Sequence, residues 1–247
     1  MDIRSYLDST YLKTAFQAGI DESQNQAVVK AFVNEAIEER FKLVMIRPEM
    51  VSLAKEIITN SGSNVQIGTV IDFPEGQSGI EIKLREAAQA IVDGADELDF
   101  VCNYEAFKKQ EIHLLKDEIL KGTQLALNHN KIIKWIIEVA ALSDKEIVQI
   151  ATLIKNMVIA NFKESDYERV FVKSSTGFYI TKNNEPNGAT IPSIIMMLEN
   201  VSPLLVKAAG GVRTYEEAVE MIKLGVKRIG TSSAKAIVNG EINSEAY

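Results

Sequence analysis

Phe41-Lys-Leu-Val-Met-Ile46, then Glu49-Met-Val-Ser-Leu-Ala-Lys-Glu-Ile-Ile-Thr-Asn-Ser61, then Val65-Gln-Ile-Gly-Thr-Val-Ile71: a short apolar run, a longer amphipathic stretch and a second apolar run follow one another. The runs are rich in Val and Ile, as strands buried on both faces are, and the stretch between them is long enough for a crossover helix. This is one strand–helix–strand unit of a parallel sheet. The same alternation extends outward in both directions. Further apolar runs lie at Glu97–Cys102, Lys131–Val139, Arg169–Val172, Leu204–Ala208 and Lys227–Gly230, and Ser5–Ser9 is available as the first strand. Amphipathic stretches at Glu22–Glu39, Ser78–Asp93, Tyr104–Leu127, Asp144–Asn161, Ile191–Glu199 and Tyr215–Leu224 fall between them. Ser143 with Glu146 and Thr214 with Glu217 have the spacing of capping boxes, and Gly94 and Gly225 stand where helix C-caps are expected.

Eight such units, with no antiparallel hairpin signal, predict an α/β fold of the closed (β/α)8 type, a single TIM barrel spanning residues 1–247 with a short C-terminal tail at 240–247. The alternative, an open doubly wound sheet, normally carries a Gly-rich turn after an early strand, and none is present. A length of 247 residues suits one such barrel.

Composition narrows the function. The chain carries 27 Lys and Arg against 34 Asp and Glu, for a net charge of −7. That balance argues against general nucleic-acid binding, and any anion must be held locally. The single cysteine, Cys102, excludes an intramolecular disulfide framework. Met1–Lys13 lacks the pattern of a secretory signal, and the most apolar stretch, Ile132–Leu142, is too short to span a bilayer and is interrupted by Lys134 and Glu138. A cytoplasmic location is the expectation.

Charges stand out where a barrel interior should be dry. Val170-Phe-Val-Lys173 and Leu204-Leu-Val-Lys207 each end an apolar run on a lysine, followed by Ser-Ser-Thr-Gly177 and Ala-Ala-Gly-Gly211. Charged residues at the C-terminal ends of barrel strands read as catalytic. Asp99 supplies an acid at the matching place, as a proton carrier or as an ion-pair partner for either lysine, and Lys134 and Glu138 share a parity that turns both inward. A lysine amine attacks a carbonyl only when neutral, and a second ammonium with partial burial lowers its pKa. Gly210-Gly211-Val212-Arg213 and Gly230-Thr231-Ser232-Ser233 follow the seventh and eighth strands, where barrels of this kind hold phosphate. His113 and His129 lack metal-ligand spacing, Cys102 has the parity of a buried structural thiol, and Trp135 packs under a helix.

These motifs resemble the deoxyribose-phosphate aldolase family, class I aldolases with a TIM-barrel fold. Phe171-Val-Lys-Ser-Ser-Thr-Gly177, Val206-Lys-Ala-Ala-Gly-Gly-Val-Arg213, Gly94-Ala-Asp-Glu-Leu-Asp-Phe100 and Ile71-Asp-Phe-Pro-Glu-Gly76 carry the resemblance, which covers nearly the whole chain. It implies Lys173 as the Schiff-base lysine, Lys207 as the lysine that depresses its pKa, and Asp99 as proton shuttle. Gly177, Gly211, Arg213, Gly230, Ser232 and Ser233 would hold the substrate phosphate, and Asp8 and Lys134 would line the pocket. Tyr247, the last residue, is either a tail tyrosine that assists proton abstraction or part of a disordered terminus. The resemblance implies no metal and no cofactor, a small phosphosugar substrate, no nucleic-acid or membrane partner, and a homodimer.

Departures from the family pattern bear on specificity. Val139 follows Glu138 where a threonine is common, and Val44-Met-Ile-Arg-Pro48 lacks a frequent cysteine, with Arg47 placed to add positive charge near the mouth. The expected reaction is reversible cleavage of 2-deoxy-D-ribose 5-phosphate to acetaldehyde and D-glyceraldehyde 3-phosphate. The rivals are a Schiff-base aldolase with another aldehyde or ketose phosphate, and a catalytically silent phosphosugar-binding barrel.

Overall fold

A computed structural model describes residues 2–182 and 185–241. Eight parallel strands close on themselves in sequence order: β1 Leu7–Thr10, β2 Leu43–Ile46, β3 Gln66–Ile71, β4 Glu97–Val101, β5 Ile132–Ile136, β6 Val170–Lys173, β7 Leu205–Ala209 and β8 Arg228–Thr231. The last closes on the first, with Asp8 beside Gly230 and Ser9 beside Thr231. Closure removes the edges an open sheet would leave unpaired.

The outer layer is α1 Ala15–Ala18, α2 Glu22–Glu39, α3 Val51–Ser61, α4 Ile80–Asp93, α5 Tyr104–Lys108, α6 Ile112–Asn128, α7 Asp144–Asn161, α8 Ile191–Val201, α9 Tyr215–Leu224 and α10 Ala234–Asn239. Both predicted capping boxes form, Ser143 with Glu146 and Thr214 with Glu217, and three others open α1, α2 and α8. Among the described residues no helix is long and apolar enough to cross a membrane.

Most element limits shift by a residue or two from the sequence reading, and three departures have a clear local cause. The first strand starts two residues later than Ser5, because Ile3–Tyr6 forms a 3-10 turn capped by Asp2. The fifth ends at Ile136, not Val139: Glu138 takes a left-handed conformation (φ 56°) and turns the chain out of the sheet. The stretch Tyr104–Leu127 is two helices, α5 and α6, divided where Gln110 adopts φ 66°.

The main apolar core lies between strands and helices. Trp135 points outward into it and donates Nε1–H to Thr123 on α6 at 3.1 Å. Inside the barrel the two halves differ. Leu43 and Met45 of β2 and Val70 of β3 make an apolar cluster with Leu12, and Gly68 of β3 clears space for it, since a Cβ there would stand 2.5 Å from Met45 Cε. The other strands fill the interior with charge: Asp8 on β1, Glu97 and Asp99 on β4, Lys134 on β5, Lys173 on β6, Lys207 on β7 and Arg228 on β8, all buried.

Candidate active site

The strand register sets the site. Asp99 lies beside Lys134, and Lys173 beside Lys207, across neighbouring strands. Three lysines thereby converge on one carboxylate. Asp99 Oδ1 accepts from Lys134 Nζ at 2.6 Å, and Asp99 Oδ2 accepts from Lys173 Nζ at 2.9 Å and from Lys207 Nζ at 3.0 Å. Lys207 also pairs with Asp8 Oδ2 at 2.6 Å, and Lys134 with Glu97 Oε2 at 2.6 Å. Arg228 closes the far end, donating to Asp8 Oδ1 at 2.9 Å and to both oxygens of Glu97 at 2.6 Å.

Buried charges survive only when paired and hydrogen-bonded, and here each carboxylate serves at least two cations. Burial alone would push the Asp99 carboxyl up, but Lys134, Lys173 and Lys207 outweigh it and hold the group well below the usual carboxylate range. Asp8 is lowered the same way, burial being outweighed by Arg228, Lys207 and Lys134. Lys134 is raised, its burial overcome by Asp99 and Glu97. Lys173 goes the other way. Burial, with Lys207 and Lys134 nearby, brings its amine down to about 8 against the pull of Asp99.

An open cavity sits over these strand ends. Lys173 lines it, while Lys207, Lys134 and Asp99 stand behind and are fully buried. Leu12 and Phe178 give it an apolar wall. Gly177, Gly210, Gly211, Arg213, Gly230 and Ser232 also line it. Gly177 and Gly211 hold φ of 79° and 92°, a conformation side chains rarely adopt, and the Gly177 N–H is donated to Ser175 Oγ at 3.0 Å, which fixes the turn after β6. Gly230 has a second reason to lack a side chain: a Cβ there would stand 3.0 Å from Lys207 Cε.

The structure thus brings together Lys173, Lys207, Asp99, Asp8 and Lys134, and gathers Gly177, Gly211, Arg213, Gly230 and Ser232 around the cavity. Ser233 is set apart: it is buried, does not line the cavity, and its Oγ has no hydrogen-bond partner among the described residues. Tyr247 lies outside the described residues. Glu138 does not point into the barrel, as strand parity predicts. Its left-handed backbone aims the carboxylate at the loop after β6, where it meets Ser175 Oγ at 2.5 Å, Thr176 N at 3.1 Å and the Thr176 hydroxyl. Arg47 does not line the cavity. It donates to the Leu12 and Phe73 carbonyls at 2.8 and 3.2 Å and lies over the Phe73 ring, whose edge meets Phe178. Its charge therefore braces three loops at the rim.

Cys102 is buried, and burial pushes its thiol up, away from nucleophilic use. Among the described residues no cluster of His, Cys, Asp and Glu is arranged to hold a metal ion. Sequence reasoning missed Glu97, Arg228, Thr176 and Asn187. Arg228 carried a weaker signal than Lys173, a strand charge with Lys227 beside it; Thr176 stood inside a quoted motif without a role, and Asn187 carried no signal, being an ordinary polar loop residue.

A buried lysine with a lowered pKa, opening on a glycine-lined cavity at the C-terminal ends of barrel strands, defines an aldolase-type barrel. The sequence profile of the DeoC/LacD family aldolases matches residues 12–240, and the chain belongs to that family. It is 38% identical over 240 residues to a deoxyribose-phosphate aldolase of Thermococcus kodakarensis, covering 97% of this chain and 96% of that one. It is 37% identical over 248 residues to that of Streptococcus gordonii, with all of both chains covered. The solved tetrameric deoxyribose phosphate aldolase of Aeropyrum pernix superposes with a TM-score of 0.76 at 26% identity, over 96% of this chain and 90% of the other.

Proposed function

We propose that this aldolase cleaves 2-deoxy-D-ribose 5-phosphate reversibly to acetaldehyde and D-glyceraldehyde 3-phosphate, with Lys173 as the Schiff-base lysine. The observation that carries the reading is the position of Lys173: its amine reaches the cavity with a pKa brought down to about 8, so a useful fraction is neutral near neutral pH.

The neutral amine attacks the C1 aldehyde, and loss of water leaves an iminium. The C3 hydroxyl gives up its proton, the C2–C3 bond breaks, and its electron pair passes into the iminium to make an enamine. Glyceraldehyde 3-phosphate leaves. The enamine takes a proton at C2, and water hydrolyses the resulting iminium to acetaldehyde and free Lys173. Asp99, 2.9 Å from the Lys173 amine, and Lys207, 3.0 Å from Asp99, tune the amine and relay protons. The Leu12–Phe178 wall suits a carbon without a hydroxyl, and the loops bearing Gly177, Gly211, Arg213, Gly230 and Ser232 suit the phosphate.

The reading takes residues 1–247 as one aldolase domain acting on a small phosphosugar, cytoplasmic as the N-terminal sequence suggests and homodimeric as the family resemblance implies. Borohydride trapping with acetaldehyde, followed by peptide mass mapping, tests it. An ethyl adduct on Lys173, together with aldehyde release from 2-deoxy-D-ribose 5-phosphate, is the expected result. An adduct without release would overturn the substrate, and no adduct in the folded protein would overturn the chemistry.

A further inference from the structure

The charges inside the barrel do not balance. Asp8, Glu97 and Asp99 face Lys134, Lys173, Lys207 and Arg228, three carboxylates against four cations; the inward residues of β2 and β3 are uncharged. Glu138, the other acid near Lys173, is raised by burial and hydrogen-bonds Ser175 and Thr176 in the loop after β6, and no ion pair joins it to Lys173 among the described residues. A buried unpaired charge is costly, and the least expensive relief is for one cation to lose its proton.

The contacts say which cation that is. Arg228 takes Asp8 Oδ1 and both oxygens of Glu97. Lys207 holds Asp8 Oδ2 and leans on Asp99, and Lys134 shares Glu97 Oε2 and also leans on Asp99. Among the described residues Lys173 has Asp99 Oδ2 alone, and shares it with Lys207. It is the amine with the smallest carboxylate share.

We propose that Arg228 and Glu97, at the closed end of the barrel, are positioning residues that set the protonation of Lys173 by deciding how much of Asp99 is left for it. Neither touches Lys173. By occupying Asp8 and Glu97, Arg228 makes Lys207 and Lys134 draw on Asp99. With Arg228 absent, those two lysines rest on Asp8 and Glu97, and Asp99 is free to hold Lys173 protonated. With Glu97 absent, Lys134 depends wholly on Asp99 and Lys173 loses its proton more easily.

This inference rests on the assignment of Lys173 as the Schiff-base lysine. The test measures initial labelling of Lys173 by acetaldehyde and cyanoborohydride from about pH 6 to about pH 10, comparing proteins at matched pH. The wild type reports on the assignment itself: no Lys173 adduct there sinks the assignment and the inference with it. Given an adduct, Arg228→Met, which balances the charges, moves the labelling midpoint up by about one pH unit or more. Glu97→Gln, which leaves two cations in excess, moves it down. Arg228→Lys, and the double variant Glu97→Gln with Arg228→Met, each restore an excess of one and return the midpoint near the wild-type value. A purely structural role lowers labelling without this ordering; equal midpoints in the folded single variants would overturn the proposal.

Discussion

Lys173 and Lys207 are register partners on adjacent strands, and a single carboxylate oxygen, Asp99 Oδ2, lies 2.9 Å from one ammonium site and 3.0 Å from the other. Two like charges so placed cannot be held equally by one oxygen. Lys207 has Asp8 as a second ion-pair partner and Lys173 has none among the described residues, so the asymmetry of reactivity is written into the ion pairs.

Replacing Lys207 with methionine removes the like charge and leaves Asp99 Oδ2 to Lys173. Both changes favour the protonated amine, so its pKa rises from about 8 toward the ordinary lysine value near 10. The acid limb of the kcat/KM profile should move up by about one to two pH units, and activity at neutral pH should fall about 10- to 100-fold. A profile that loses height without moving along the pH axis contradicts the account.

Glu138 governs the loop that carries Thr176 and Gly177 into the cavity. The Ser175 hydroxyl stands 2.5 Å from Glu138 Oε1 and 2.7 Å from the Asn187 carbonyl, yet it has one proton for two acceptors. Burial raises the Glu138 carboxyl, which is consistent with a proton of its own on the Ser175 contact. Glutamine reproduces that pattern: its oxygen accepts from Thr176 and its nitrogen donates to Ser175. Glu138→Gln should therefore keep KM for the phosphorylated substrate within about twofold, whereas Glu138→Ala, which strips the loop of a charge-assisted or neutral hydrogen-bond hub, should raise it about tenfold or more. Acetaldehyde labelling of Lys173 should survive in both. Equal damage from both substitutions in steady-state kinetics would mean that the loop needs an ionised carboxylate.

Much of this was legible in residue order. Strand–helix alternation specifies the closed barrel because each buried strand reads as a continuous apolar run, and a charge in such a run, as at Lys173 or Lys207, is conspicuous. Glu138 escaped because parity holds only while the strand lasts, and one left-handed residue redirects its side chain from the barrel to a loop. Thr176 and Asn187 escaped because loop geometry, not period, brings them to the cavity. Glu97 and Arg228 were visible as charges, but their pairing across the barrel depends on closure of the sheet and on Asp8 standing between them and Lys207.

Lys83 on α4 supplies a contrast, a buried cation outside the cavity. It donates to the Gly76 and Val101 carbonyls and to Glu118 Oε1, each at 2.8 Å, so every proton is used. Lys83→Met leaves Glu118 buried without its cation and should cost about 3–5 kcal/mol of stability. For a domain of this size that is a fall in Tm of about 6–20 °C. Lys173 labelling measured well below the transition should be retained. A small change in Tm by calorimetry would show that water replaces the ammonium.

The reactive lysine should also weaken the fold that holds it. Its amine titrates at about 8 in the folded protein against 10.5 for the ordinary group. Below about pH 8 both folded and unfolded chains carry the proton, and the folded state bears the full penalty of a buried, poorly paired ammonium. Between about pH 8 and about pH 10.5 the unfolded chain binds a proton that the folded one has released, so stability from this group rises with pH, by about 3 kcal/mol in all. Lys173→Met removes the group and with it this pH dependence, while titrations outside the cluster around Asp99 are common to both proteins and cancel in the comparison. The variant should therefore be inactive and more stable than the wild type at pH 7, and its advantage should shrink by about 3 kcal/mol as the pH approaches about 10.5. Denaturant titrations of both proteins across that range decide it. A constant difference would mean that Lys173 titrates at the same pH folded and unfolded, and its activation would then have to come from the bound substrate and not from the buried charges around it.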